Sequence, residues 1–290
     1  MQTYTSIREL RGRIGEWRKA NPEGTVGFVP TMGFLHEGHA SLIERARAEN
    51  GLTVVSVFVN PLQFGPNEDF ERYPRDPERD ASVCERAGAD LLFAPEVREM
   101  YPKKAVTRVL VEELTDRLCG ASRPGHFDGV GTVVSKLFHI VQPDRAYFGL
   151  KDAQQVAVIE RMTEDLNLPV GIVPCPTVRE PDGLALSSRN VYLTAEQREQ
   201  AVVLSRALGK AGEWLSEPEL GASELRGRII AYIERAPLAV IDYVEVLTYP
   251  DLQPPDGLTL SSGNGQGGRI IVALAVKFGG TRLIDNRIFG

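Results

Sequence analysis

Up to about residue 175 the apolar positions alternate between two periods. Short β-branched or apolar runs at 26–29, 53–59, 90–93, 145–148 and 170–174 have the length of strands, and amphipathic stretches lie between them. Val130, Val133, Val134, Leu137, Phe138 and Val141 fall on one helical face, so periodicity overrides their β-branched content there. Asp76-Pro77 places a capping side chain before a proline at a helix start, and Lys151-Asp152 precedes Val156, Ile159, Thr163 and Leu166 at helical spacing. About five βα units follow from this, which predicts an α/β, Rossmann-like, doubly wound parallel sheet with right-handed crossovers. Ligands of such sheets sit beyond the carboxyl ends of the strands.

After Asn190 the pattern changes. Thr194 and Gln197 form a capping box for one long helix with Val203, Leu204, Leu208, Ala211 and Leu215 inside. A helix near 223–235 and strands at 241–247 and 270–276 follow, with a Gly-, Pro- and Ser-rich surface loop at 254–268. The expected division is a nucleotide-binding domain over 1–182 and a smaller C-terminal α+β lid domain over 183–290, the boundary falling in 176–190.

Composition narrows the classes. The 290 residues are 42% hydrophobic and 25% charged, an ordinary globular profile with a net charge of -6. A chain that grips nucleic acid generally carries a basic excess, and none is present. The three cysteines, Cys84, Cys119 and Cys175, show no Cys-x-x-Cys spacing, so neither a disulfide framework nor a thiolate zinc site is indicated and a reducing cytoplasm fits. The first 13 residues lack an apolar export segment, and no apolar run approaches the roughly 20 residues that span a bilayer.

Candidate chemistry lies in two strand-to-helix turns, in the loop before the second domain and in a stretch leaving the second strand. The first is Pro30-Thr31-Met32-Gly33-Phe34-Leu35-His36-Glu37-Gly38-His39, where half of the chain's four histidines meet a helix start whose free N–H groups and dipole attract anions. Two imidazoles there can hydrogen-bond charge developing at phosphorus. A zinc helix needs its histidines four apart, and these are three apart; a turn whose histidines only cap or pack is the plainer alternative. The second is Phe148-Gly149-Leu150-Lys151-Asp152-Ala153-Gln154-Gln155, offering a cation and, at Gln155, a donor and acceptor. The third, Leu186-Ser187-Ser188-Arg189-Asn190, combines hydroxyls and a guanidinium suited to a triphosphate, or forms only a polar turn. Asn60-Pro61-Leu62-Gln63-Phe64 suits a small hydroxylated molecule, or is simply a turn.

Together with Tyr73-Pro74-Arg75, 123–129, 143–155, 176–193, 242–246 and 283–286, these stretches resemble the pantoate-β-alanine ligase family over nearly the whole chain. The resemblance implies ATP-dependent condensation of pantoate with β-alanine to pantothenate, AMP and pyrophosphate through a pantoyl-adenylate, a step toward coenzyme A. It implies ATP and Mg²⁺, a cytoplasmic homodimer, and neither nucleic acid nor membrane as partner. It assigns catalysis to His39, His36, Lys151 and Arg189, with His39 at the position named as proton donor. ATP handling extends to Met32, Gly33, Phe34, Leu35, Glu37, Gly38, Gly149, Leu150, Asp152, Val178, Leu186, Ser187 and Ser188. Gln63 and Gln155 are implied to hold pantoate, with Asn60, Arg123 and Tyr73 lining the site. Leu150 stands where the family usually has Glu, which bears on how Lys151 is oriented, and Leu186 stands where Met is frequent. No metal ligand is assigned; Asp80 is a speculative one that serves equally as a helix-face carboxylate. The rival activities are a nucleotidyltransferase acting on a phosphorylated small molecule, a fragment related to class I aminoacyl-tRNA synthetases, and a non-catalytic nucleotide sensor.

Overall fold

The computed structural model describes residues 1–65, 70–217, 219–255 and 268–290. The expected loop at 254–268 falls almost entirely outside them. The first domain is built on six parallel strands: β1 (Gln2–Tyr4), β2 (Val26–Thr31), β3 (Leu52–Val57), β4 (Leu91–Phe93), β5 (Arg145–Gly149) and β6 (Gly171–Cys175). Their order is β1-β4-β3-β2-β5-β6. Succession runs outward from β2 through β3 to β4, then resumes on the other side with β5 and β6, so the direction of winding reverses between β2 and β5. A crevice opens at that point, beyond the strands' carboxyl ends.

Helices cover both faces. Helix α1 (Ile7–Ala20), α6 (His126–Val141) and α7 (Ala153–Asp165) pack on one side, and α2 (Glu37–Glu49) and α3 (Pro77–Arg86) on the other, with short helices α4 (Val97–Met100) and α5 (Leu118–Ser122) between. The stripe Val130, Val134, Leu137, Phe138 and Val141 is buried against Phe28 and Phe148, each such side chain contributing roughly 1.5–3 kcal/mol. Asp76 caps α3 by accepting from the Arg79 amide at 3.1 Å, as its sequence indicates.

The N-terminal segment goes beyond the sequence reading: it supplies a sixth strand, β1, followed by α1, where Ile7, Leu10, Ile14 and Trp17 carry a helical spacing. The helix expected from Thr194 to Leu215 is two, α8 (Ala195–Ala201) and α9 (Val203–Trp214), broken at Val202 although the Thr194–Gln197 capping box is present.

The second domain adds α10 (Ala222–Ile233) and an antiparallel sheet of β7 (Ala239–Thr248), β8 (Ile270–Phe278) and β9 (Thr281–Phe289). Strand β9 follows the two-glycine turn Gly279-Gly280, a hairpin signal in the sequence. One sheet face packs on α8, α9 and α10 in a core that begins at Leu184. The other sends Leu247, Tyr249, Ile271 and Ala273 into the first domain's core. Among the described residues no helix is long and apolar enough to cross a membrane.

Candidate active site

The turn after β2 is shaped by a buried carboxylate. Gly33 and Phe34 both have positive φ, 88° and 51°, and Asp80, 2% exposed, accepts from the Phe34 amide at 3.0 Å and the Leu35 amide at 2.7 Å. A Cβ on Gly33 would stand 2.9 Å from that carboxylate, so glycine is required both for φ and for the close approach. Both oxygens of Asp80 are thereby engaged by the loop, so this carboxylate clamps the turn. Among the described residues no group of three or more His, Cys, Asp or Glu side chains is placed to hold a metal.

His36 and His39 then cap α2 reciprocally. His36 Nδ1 accepts from the Gly38 amide at 3.1 Å, and His39 Nδ1 accepts from the His36 amide at 3.3 Å. The expectation of free N–H groups at this helix start is therefore corrected: His36 and Gly38 give their amides to the two imidazoles, and His39 donates its own to the His36 carbonyl at 2.7 Å. The capping alternative is realised, and the cap uses only the Nδ1 of each ring. With Nδ1 fixed as acceptor, each neutral ring carries its proton on Nε2. Burial lowers His36 to about 4, helped by Lys151 and Arg79; burial, then His36 and Lys151, lowers His39 to about 3. The site thus holds two neutral imidazoles at neutral pH, their ring centroids 4.2 Å apart.

Across the crevice, β5 ends at Gly149 and a single 3₁₀ turn, Leu150–Asp152, delivers Lys151 at the start of α7. Lys151 Nζ lies 3.6 Å from the Asp152 carboxylate. Burial pushes the Asp152 pKa up, but Lys151, Arg189 and His126 outweigh it and hold this carboxyl below its ordinary range. The neighbouring glutamines divide their work. Gln154 is buried, accepting from the Cys119 amide and donating to the Leu114 and Arg117 carbonyls at 2.8 Å, so it fastens α5. Gln155 faces the cavity.

The Gln63 side is equally braced. Asn60, 1% exposed, caps the 3₁₀ turn Pro61–Gln63, donates to the Gly129 carbonyl at 3.0 Å and faces the Gln63 side-chain oxygen at 3.3 Å. Gln63 in turn donates to the Met32 sulfur. A Cβ on Gly129 would sit 2.3 Å from the Leu62 carbonyl oxygen, so α6 can approach this turn only through glycine. His126, which the sequence reading did not single out, donates from Nδ1 to the Gln63 carbonyl at 2.9 Å and meets Arg123 at Nε2 at 3.1 Å. Its signal was its place at a helix start inside the matched stretch 123–129.

These walls enclose two adjoining cavities of about 240 and 940 Å³. The smaller is lined by Met32, Gly38, His36, His39, Gln63, Tyr73, Gly149, Val178, Leu186 and Ser188; the larger extends between the domains to β7 and β9. Arg123, His126, Lys151, Asp152, Gln155, Ser187 and Arg189 face both. Ser187 caps its own turn by accepting from the Arg189 amide, and Asn190 secures that turn by donating to Glu180 and the Ala185 carbonyl. Gly33, Phe34, Leu35, Glu37, Asn60 and Leu150 do not line these cavities: Leu35 is core, Phe34 stacks on the Arg79 guanidinium, Asn60 is buried as a brace of the Gln63 turn instead of lining the site, and Leu150 packs toward the first core. The three sequence turns are brought together around one space.

A family model described as Pantoate-beta-alanine ligase matches residues 2–288. A pantothenate synthetase of Acetivibrio thermocellus is 58% identical over 288 residues, covering 99% of both chains, and one from Geobacillus thermodenitrificans is 58% identical over 97% of this chain and 94% of its own. Among solved structures, a pantothenate synthetase of Thermus thermophilus superposes with a TM-score of 0.87 at 51% identity over 99% of each chain. A pantoate-beta-alanine ligase from Francisella tularensis, complexed with Beta-gamma ATP and Beta-alanine, gives 0.75 at 35% identity, covering 99% of this chain and 97% of its own.

Proposed function

The chain belongs to the pantoate-β-alanine ligase family, and from that membership we propose how its crevice joins pantoate to β-alanine at the expense of ATP. The observation that carries the reading is the convergence of Lys151, Arg189, His36, His39, Gln63 and Gln155 on one cavity. The cations and imidazole N–H groups suit a triphosphate, and the two amides suit a hydroxy acid.

In the first step the pantoate carboxylate attacks the α-phosphorus of ATP and pyrophosphate leaves. Lys151 and Arg189 neutralise phosphoryl oxygens that gain charge, and the Nε2 protons of His36 and His39 donate to them. Because both rings are neutral, they act as hydrogen-bond donors fixed in direction by α2. In the second step the β-alanine amine attacks the acyl carbon of the mixed anhydride, an amide forms, and AMP leaves. Gln63 and Gln155 keep the acyl group in place, and enclosure between the domains limits hydrolysis.

Mg²⁺ enters this reading as the counterion of ATP. The described residues present no cage for it, Asp80 being engaged by the turn and Asp152 by Lys151, so no step is assigned to a protein-held metal. The reading includes a cytoplasmic location, supported by three free thiols. It also includes a homodimer, supported by residues 104–112, which lie outside both sheets and leave Val106 87% and Leu110 58% exposed; sedimentation at the mass of one chain refutes that part. For the activity itself, ATP with pantoate and β-alanine is expected to give sustained AMP and pyrophosphate in equal amounts, and omission of β-alanine to stop turnover. Sustained AMP without β-alanine contradicts the ligase reading.

A further inference from the structure

Strand β9 carries alternate side chains to opposite faces. On one face Arg282 reaches the Cys119 sulfur at 3.6 Å, and Asn286, 9% exposed, donates from Nδ2 to the carbonyls of Leu150 and Lys151, both at 2.9 Å. On the other, Asp285, 2% exposed, takes both guanidinium nitrogens of Arg179 at 2.7 and 2.8 Å. Arg179 bridges to Ala185, closing the loop that leads directly to Ser187. Of two neighbouring residues of the second domain, Asn286 therefore holds the backbone of the Lys151 turn, and Asp285 holds the Arg179 side chain in the loop that leads to Ser187.

We propose that Asn286 is a positioning residue for adenylation, fixing the 3₁₀ turn that presents Lys151, while Asp285 fixes the Ser187–Arg189 turn through Arg179. The inference rests on the reading of Lys151 as a phosphate-binding cation. It also accounts for Leu150. That side chain is aliphatic and packs toward the first core, so it orients Lys151 by no charge; the turn is set instead through its carbonyls. A partner drawn from β9 couples the placement of the cation to the docking of the second domain, so Lys151 is correctly aimed only when that sheet is seated.

The experiment is a double-mutant cycle on initial pyrophosphate formation from ATP and pantoate. Asn286→Asp keeps the side-chain volume but replaces both donors with an acceptor facing two carbonyls. Its kcat is expected to fall about tenfold with the KM for pantoate within about twofold of the native value. In the Lys151→Ala background, Asn286→Asp is expected to add no further loss, because the group it positions is gone. An equal fold loss in both backgrounds, or a native rate for Asn286→Asp alone, overturns the coupling while leaving an impaired Lys151→Ala enzyme as support for the cation's role. A native rate for Lys151→Ala removes that role, and the positioning proposal with it. Should Asn286→Asp not fold, Asn286→Gln, which displaces the two donors by one methylene, is read in the same cycle, with a smaller loss alone and again none beside Lys151→Ala.

Discussion

Lys151→Ala is expected to lower the rate of pyrophosphate formation by about 10² or more while the protein stays folded. The magnitude follows from removing a cation from a partly enclosed cavity where charge grows on phosphoryl oxygens. The fold should survive because the ion pair that Lys151 makes with Asp152 is long at 3.6 Å and carries little stability. A second readout separates charge from shape. Lys151 is among the groups that depress His36 and His39, so its removal should move both imidazole midpoints upward from about 4 and about 3. Lys151→Met, which keeps the aliphatic stem, should match the alanine variant in both respects. Native turnover, or unmoved histidine midpoints in a titration followed by nuclear magnetic resonance, contradicts this placement of the charge.

His39→Ala is expected to reduce adenylate formation at least tenfold and to cost about 1 kcal/mol of stability, since the ring both faces the cavity and closes the cap on α2. The two losses can be separated. In His39→Gln the side-chain oxygen can accept from the His36 amide, as glutamine does at this position of a capping box. Stability should return and activity should not. Recovery of activity in His39→Gln makes His39 a cap and nothing more. The pH behaviour carries the same logic. The folded-state pKa values lie below the ordinary 6.5, so the unfolded chain binds protons first on acidification. The stability these rings contribute is complete above about 6.5 and is lost as pH falls from there, toward about 4 for His36 and about 3 for His39. The native rate should accordingly show no histidine-dependent break near 6.5.

Much of this architecture is written locally. The strands from Val26 to Cys175, the α6 stripe and the three turns could be placed because each depends on neighbours in sequence: a period of two, a period of 3.6, a cap, a glycine. Ile7, Leu10, Ile14 and Trp17 also spell out α1, and Gly279-Gly280 marks the β8–β9 hairpin, so these were legible though not read. The break at Val202 was not, because no proline or glycine stands there.

The supports of the site are hidden for a different reason. Asp80 meets a turn 45 residues earlier, His126 a carbonyl 63 residues earlier, and Asn286 a carbonyl 136 residues earlier. Nothing in the spacing of an aspartate on a polar helix, or of an asparagine in a strand, states which distant backbone it will hold. The motif stretch 283–286 was visible as a likeness, but its meaning requires knowing that β9 lies against the Lys151 turn. The residues that face the cavity were therefore easier to name than the residues that aim them.

Activation of the pantoate carboxylate as an acyl-adenylate, the step proposed for this crevice, is tested by running the complete reaction with pantoate labelled with oxygen-18 in both carboxylate oxygens and analysing the nucleotide product by mass spectrometry. Attack at the α-phosphorus followed by amide formation leaves one labelled oxygen on the phosphate of AMP, and that is the expected result. Unlabelled AMP, with the displaced oxygen-18 recovered in pyrophosphate or in water, contradicts it.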